Sequence, residues 1–180
     1  MIFALGIYLE CDGESMKKEY AIRWWHGTKG EWYVVGQLCM IVIVFFGPRT
    51  LGVLPVWPSA VAQFSAVGGV MLMVTGVCLL LVGSAKLGSN LTPLPYPKSD
   101  TTFVQTGPYR FVRHPMYSGG IVLSYGWAFF VNGWLTLLYA TALLVFLDVK
   151  ADREERWLID RFPEYCDYQK SVCKLIPFIY

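Results

Sequence analysis

Two short stretches of the 180-residue chain carry most of the side chains able to do chemistry. Residues 106–119 read Thr-Gly-Pro-Tyr-Arg-Phe-Val-Arg-His-Pro-Met-Tyr-Ser-Gly. Residues 148–165 read Asp-Val-Lys-Ala-Asp-Arg-Glu-Glu-Arg-Trp-Leu-Ile-Asp-Arg-Phe-Pro-Glu-Tyr. In the first, Pro115 disfavours helical geometry at His114 and is itself suited to a helix's first turn. The spacing therefore predicts a helix opening at Pro115 with His114 at its cap. The free N–H groups of such an end attract a carboxylate or another anion, and Arg110 and Arg113 add positive charge beside it. Tyr109 and Tyr117 offer aromatic faces to a cation such as a sulfonium. In the second stretch, Glu154 and Glu155 are placed to meet Arg110, Arg113 or a ligand's amino group. By residue type alone, a basic aromatic belt at a membrane interface and a solvated helix face account for the same residues equally well.

The elements that must position these groups are apolar. Hydrophobic residues make up 55% of the chain and charged ones 16%, against about 25% charged in an ordinary soluble domain. Residues 32–48, 50–85 and 116–147 are uncharged. One membrane span is predicted near 33–46 and another near 60–85, with a Pro-rich turn at 47–58 between them, since Pro55 and Pro58 break regular helix. The block at 116–147 exceeds the roughly 20 residues of a single span. Asn132-Gly133 in its middle is a turn signal, so this block reads as a helical hairpin. Its second leg has no breaker from Trp134 into the charged tail, and so one helix leaves the membrane and continues until Phe162-Pro163. Asp152 and Arg156 are spaced as an i,i+4 pair on it. An amphipathic segment over 164–175 is expected at the surface. The Pro-rich stretch starting at Asn90 is expected to be extended.

These readings give an all-α, polytopic membrane bundle of about four spans, or five. The chain is expected to form one domain over 1–180, with a surface segment at 1–31. Lys and Arg positions support the arrangement. Four precede the first span, four lie between spans two and three, six follow span four, and Arg49 alone falls on the opposite side. A split of 14 to 1 satisfies the positive-inside rule, so both termini and the middle loop are expected in the cytoplasm. Small residues recur every seven positions as Ala62, Gly69, Gly76 and Gly83, and again as Gly119, Gly126 and Gly133. Each set forms one stripe, and glycine stripes let backbones approach closely in lipid; spans two and three are expected to meet there. The five cysteines form no CxxC pair, which argues against a zinc site or a disulfide framework. No metal and no nucleic-acid partner is expected, and oligomeric state is left open.

Gly107-Pro-Tyr-Arg-Phe-Val-Arg-His-Pro-Met-Tyr117, Glu154-Glu-Arg-Trp-Leu-Ile-Asp-Arg-Phe-Pro-Glu-Tyr165 and Leu175-Ile-Pro-Phe-Ile together resemble the isoprenylcysteine carboxyl methyltransferase family and its bacterial relatives, including phospholipid N-methyltransferases. The similarity covers about residues 86–180. It implies S-adenosyl-L-methionine in a cytosolic pocket that opens sideways to lipid. Cofactor contacts would fall on Thr101, Thr102, Phe103, Val104, Tyr109, His114, Pro115, Met116, Tyr117 and Glu154. A basic residue just before the Glu-Glu holds the acceptor carboxylate in the prenylcysteine enzymes; here that place holds Lys150 where an arginine is usual. Lysine is a point charge without the guanidinium fork.

The reaction implied is an in-line displacement on an activated methyl donor, for which alignment and exclusion of water are the main tasks. A carboxylate acceptor is already ionised at neutral pH, whereas an amine must lose a proton and a glutamate can take it. Glu154 and Glu155 are therefore expected as positioning groups, with Glu155 available as proton acceptor. Arg110, Arg113 and Lys150 are expected to anchor an anionic headgroup on a lipid-like or prenylated acceptor. Two other readings compete. Sterol reductases are similar in their C-terminal membrane region but bind a nicotinamide cofactor. A non-enzymatic membrane scaffold would leave the ionisable cluster at the helix mouth unexplained.

Overall fold

The computed structural model describes residues 31–91 and 102–176. Among the described residues five α-helices follow one another: α1 (Glu31–Phe46), α2 (Ser59–Leu87), α3 (Pro115–Phe130), α4 (Trp134–Arg161) and α5 (Tyr165–Ser171). The described residues contain no β-strand, only an isolated parallel bridge between Val112 and Cys173. The first four helices stand where the uncharged blocks predict them. By length and composition, α2 and α4 can each cross a membrane, while α1 is a shorter apolar helix. Their outer faces carry bare apolar side chains, among them Phe46 at 84% exposure and Phe64 at 82%. Apolar surface on this scale suits hydrocarbon rather than water. Residues 1–30, most of the expected surface segment, lie outside the described residues, and residue 31 already begins α1. The Pro-rich stretch is described only as far as Leu91.

The two glycine stripes do bring α2 and α3 together. A Cβ on Gly69 would sit 2.6 Å from the Gly126 carbonyl oxygen, and one on Gly76 would sit 2.6 Å from the Leu123 nitrogen. Backbone meets backbone at these points, which only glycine permits. Gly83 faces Met116 and Pro115 at the start of α3. Gly133 departs from the expectation. It precedes α4, and its neighbours are Thr136 and the Arg49 carbonyl. The reason is the turn: Asn132 adopts φ +52°, a left-handed conformation that asparagine tolerates well, and this ends the stripe one residue early.

Helix α4 runs unbroken from Trp134 to Arg161, as the missing breaker predicts. Leu143 and Leu147 on α4, Val44 on α1, Ile121 on α3 and Leu175 form the buried apolar core. The 164–175 segment differs from the surface helix expected. Its helix is only seven residues long, and Tyr165 and Tyr168 are buried in it. Beyond α5 the chain extends alongside residues 112–114. Arg113 N–H donates to the Cys173 carbonyl (2.8 Å) and His114 N–H to the Lys174 carbonyl (3.1 Å). Lys174 then reaches α4, bonding Asp148 at 2.5 Å and Asp152 at 2.6 Å. Asp152 thus takes Lys174 rather than the neighbour expected on its own helix. Periodicity along one helix cannot show a partner that arrives from a later segment.

Candidate active site

Residues 107–114 build a rigid neck between α2 and α3. A single 3₁₀ turn, Gly107–Arg110, opens at Gly107 with φ +66°, a conformation that a side chain would strain. Tyr109 points inward from this turn, with its hydroxyl 3.5 Å from the Gly83 carbonyl. Its own carbonyl accepts from the Tyr168 hydroxyl. His114 is the N-cap of α3, with Pro115 in its first turn. The neck backbone is pinned by the extended 173–174 strip described above. The His114 ring is thereby aimed at Glu155 on α4, and it stacks on Tyr117 of its own helix at 5.4 Å and 5°.

The two glutamates of α4 occupy different environments. Glu155 is 1% exposed. Its Oε1 accepts from Arg113 Nε at 2.7 Å and lies 2.9 Å from His114 Nε2. Its Oε2 accepts from Gln169 Nε2 at 2.8 Å and from Arg113 at 3.3 Å. Burial would lower the Arg113 pKa, but the hydrogen bond and charge of Glu155 outweigh it and raise the pKa above its ordinary value. Arg113 also donates to the carbonyls of Gln169 (2.9 Å) and Val172. A buried charge held this fully is a fixed part of the frame. Glu154 instead accepts from the Tyr117 hydroxyl. It stands 3.7 Å from His114 and 4.0 Å from the Lys150 ammonium.

Glu154 forms part of the wall of a cavity of about 300 Å³. Thr102, Phe103 and Val104 line one side, Tyr109 and His114 the neck side, and Met116 and Tyr117 the first turn of α3. Arg113 and Lys150 also reach it. Asn90, at the end of the short 3₁₀ turn that follows α2, bonds the Thr102 hydroxyl at 2.9 Å and receives the Thr102 N–H at 3.2 Å. This fastens the loop that carries Phe103. The Phe103 ring stacks on Phe162 at 5.7 Å and meets Tyr168 edge-on at 5.2 Å. Burial, then the Glu154 charge, pushes the Tyr109 phenol up to about 12, so Tyr109 is a neutral wall at physiological pH.

Eight of the ten residues expected to touch a cofactor therefore line one cavity. Pro115 is buried below it against Gly83, and Thr101 lies outside the described residues. Among the expected acceptor anchors, Arg113 and Lys150 are on the cavity, whereas Arg110 points to solvent. Glu155 is behind the wall, not on it. Sequence reasoning missed Gln37 and Val34 on α1, and Leu158, Tyr165 and Tyr168 on the acidic tail. Gln37 carried a signal: it is a polar side chain inside an uncharged block, a position that costs stability in hydrocarbon unless it is used. Gln169 had none, since its role depends on a fold-back of the chain.

The sequence and fold have counterparts in known proteins. The family model described as phospholipid methyltransferase matches residues 64–164. Protein-S-isoprenylcysteine O-methyltransferase of Rattus norvegicus is 35% identical over 129 residues, covering 68% of this chain and 45% of that protein. Methanethiol S-methyltransferase 1 of Bradyrhizobium diazoefficiens is 44% identical over 71 residues, 39% of this chain and 24% of that protein. The match thus spans about half the length of the isoprenylcysteine enzyme or less. A solved structure of the eukaryotic intramembrane Ras methyltransferase, isoprenylcysteine carboxyl methyltransferase, superposes with a TM-score of 0.57 at 25% identity, covering 89% of this chain and 55% of that one. The matched family region contains α3, the neck and both glutamates, and on this ground the chain belongs to the phospholipid methyltransferase and isoprenylcysteine carboxyl methyltransferase family.

Proposed function

We propose that this protein is an integral membrane methyltransferase that transfers a methyl group from S-adenosyl-L-methionine to a lipid-like or lipidated acceptor at the membrane–cytosol boundary. It acts as a single domain with four spans, and its termini and neck are cytoplasmic. The reading is supported above all by one observation: Glu154, Tyr117, His114 and Tyr109 converge on the wall of a single cavity at the mouth of α3. The residues present fit the cofactor. The cavity has the size of a small-molecule site and carries an acidic group with aromatic faces for a cation. Phe103, Leu158 and Phe162 add apolar wall for a flat base.

S-adenosyl-L-methionine, when bound, supplies a methyl group on a positively charged sulfur. The chain's own residues bind, orient and keep the site dry. Glu154 and the tyrosine faces favour positive charge at their end of the cavity. Glu155, Arg113 and Gln169 hold the His114 ring in place from behind. The apolar lining from Phe103 to Phe162 excludes water, which strengthens each electrostatic contact. Isothermal titration of the purified protein with S-adenosylhomocysteine tests the reading. Binding is expected, weakened about tenfold in His114→Ala, as for loss of a buried polar contact. A well-folded wild type that does not bind, or His114→Ala that binds equally well, overturns it.

A further inference from the structure

A second groove lies on α2 at the end opposite the active-site cavity. The cavity adjoins Leu87, the last residue of that helix, whereas the groove is lined by Trp57, just before the helix starts, and by Val61, Phe64, Gly68 and Leu72 within it. These four follow one another at three- and four-residue steps, so they share one helix face. Gly68 makes the hollow. A Cβ on it would meet nothing within 4 Å, although one on its neighbour Gly69 would meet the backbone of Gly126 and Phe130. Phe129 of α3 also lines the groove, which therefore bridges two helices. Phe64 is largely exposed, so the groove opens away from the bundle. Ser65 brings the one hydroxyl among the described lining residues, and its hydrogen is already donated to the Phe129 carbonyl at 3.0 Å.

The indole Nε1 of Trp57 is buried and has no hydrogen-bond partner among the described residues. The adjacent indole differs. Trp134, whose ring lies 4.9 Å from that of Trp57, donates its N–H to the Pro55 carbonyl at 2.9 Å. Buried tryptophan N–H groups usually find a partner, and one left without an acceptor is costly. Water answers poorly, because a buried water needs roughly two to four polar partners and the lining offers Ser65 alone. A neighbouring membrane helix answers poorly too, since its carbonyls are used in its own ladder. The occupant must carry an acceptor on an apolar body. Val61 and Leu72 are eleven residues apart, about 16 Å at the helical rise, which matches one leaflet of a hydrocarbon core about 30 Å thick. Leu72 stands near the middle of α2, so the groove runs from the membrane interface to the bilayer centre. From these observations we infer that the groove is a glycerolipid site, in which one acyl chain lies along Val61, Phe64, Gly68 and Leu72 and its ester carbonyl accepts the Trp57 N–H. The lipid belongs to the leaflet opposite the active-site cavity and bridges α2 to the end of α3. The site requires that the chain cross a membrane and does not depend on the reaction at the other end.

The test uses the full chain, delipidated in detergent and titrated with dioleoylphosphatidylcholine or with its ether-linked counterpart, bound lipids being counted by native mass spectrometry. The two lipids share headgroup and chain length and differ at the ester carbonyls. Wild type is expected to hold one ester lipid about fivefold more tightly than the ether lipid, as for one neutral hydrogen bond. Trp57→Phe keeps an aromatic ring without the donor, and should bind both lipids equally, at the affinity of the ether lipid. Gly68→Leu fills the hollow and should carry one bound lipid fewer than wild type, of either kind. Thermal unfolding checks that each variant is folded, and the comparison of ester with ether lipid on wild type needs neither variant. Equal binding of the two lipids by wild type overturns the inference. So does an ester preference that survives in Trp57→Phe, or a folded Gly68→Leu that retains the full wild-type complement of lipid. A lipid-free dimer of wild type that Gly68→Leu dissociates overturns it as well, and assigns the groove to a second copy of the chain.

Discussion

Glu155 is tied into the buried frame, whereas its neighbour Glu154 faces the cavity. Four hydrogen-bonding contacts from three side chains use both of its oxygens. Glu155→Gln keeps the shape but leaves Arg113 buried without its counter-charge. Removing one partner of such a pair costs about 3–5 kcal/mol, so a large fall in melting temperature is expected in detergent-solubilised protein. Glu154→Gln should spare stability by comparison and instead weaken S-adenosylhomocysteine in titration. Tyr109 provides a pH signature. Its phenol is pushed up to about 12 by burial and then by the Glu154 charge. A group with a raised folded-state pKa stabilises the fold fully below its unfolded value of 10.0, and that stabilisation is lost as pH rises from there towards about 12. Melting temperature followed across this window should fall, and Tyr109→Phe should make the fall shallower. The sequence displayed His114, Tyr117, Arg113 and the glutamate pair because proline and charge marked them. Spacing alone does not separate Glu154 from Glu155, since adjacent residues on a helix point about 100° apart; the family resemblance put Glu154 on the cofactor and Glu155 at the acceptor, and the packed partners turn Glu154 to the cavity and Glu155 behind its wall.

At the scale of elements, the α2–α3 contact is the most exacting in the bundle. A methyl group on Gly76 would meet the Leu123 nitrogen at 2.6 Å and the Gly119 oxygen at 2.7 Å, whereas one on Gly68 meets nothing within 4 Å. Gly76→Ala should cost about 1–3 kcal/mol by overpacking, and Gly68→Ala should be close to neutral. Thermal unfolding of the two variants side by side checks this. The seven-residue spacing made that contact legible, as did the uncharged blocks for the four helices and Asn132-Gly133 for the hairpin. The C-terminal strip was not legible. Residues 172–175 have no alternating pattern of their own, and their place is set by hydrogen bonds to the neck backbone and by Lys174 bridging Asp148 and Asp152. Lys174→Met should remove that tie and lower stability, with the Lys174 pKa raised in the wild type because the two aspartates outweigh burial.

For the whole molecule, the proposed topology is open to a direct check. Val53, 89% exposed in the turn between α1 and α2, and Arg110, exposed on the neck, should lie on opposite sides of the bilayer. In a variant freed of native cysteines, Val53→Cys should react with an impermeant maleimide from the side opposite to Arg110→Cys. Labelling of both from one side would refute the four-span arrangement. The pairing of residues 112–114 with 173–175 adds a consequence for biogenesis. About sixty residues separate these partners, and the whole α3–α4 hairpin lies between them, so this closure is a late, non-local event. Until it happens, the amides of Arg113 and His114 have lost neither water nor freedom, and the histidine has no fixed aim. On the proposed reading, a chain whose helices already cross the bilayer still holds an unfinished cavity, which is completed only when the downstream strip docks.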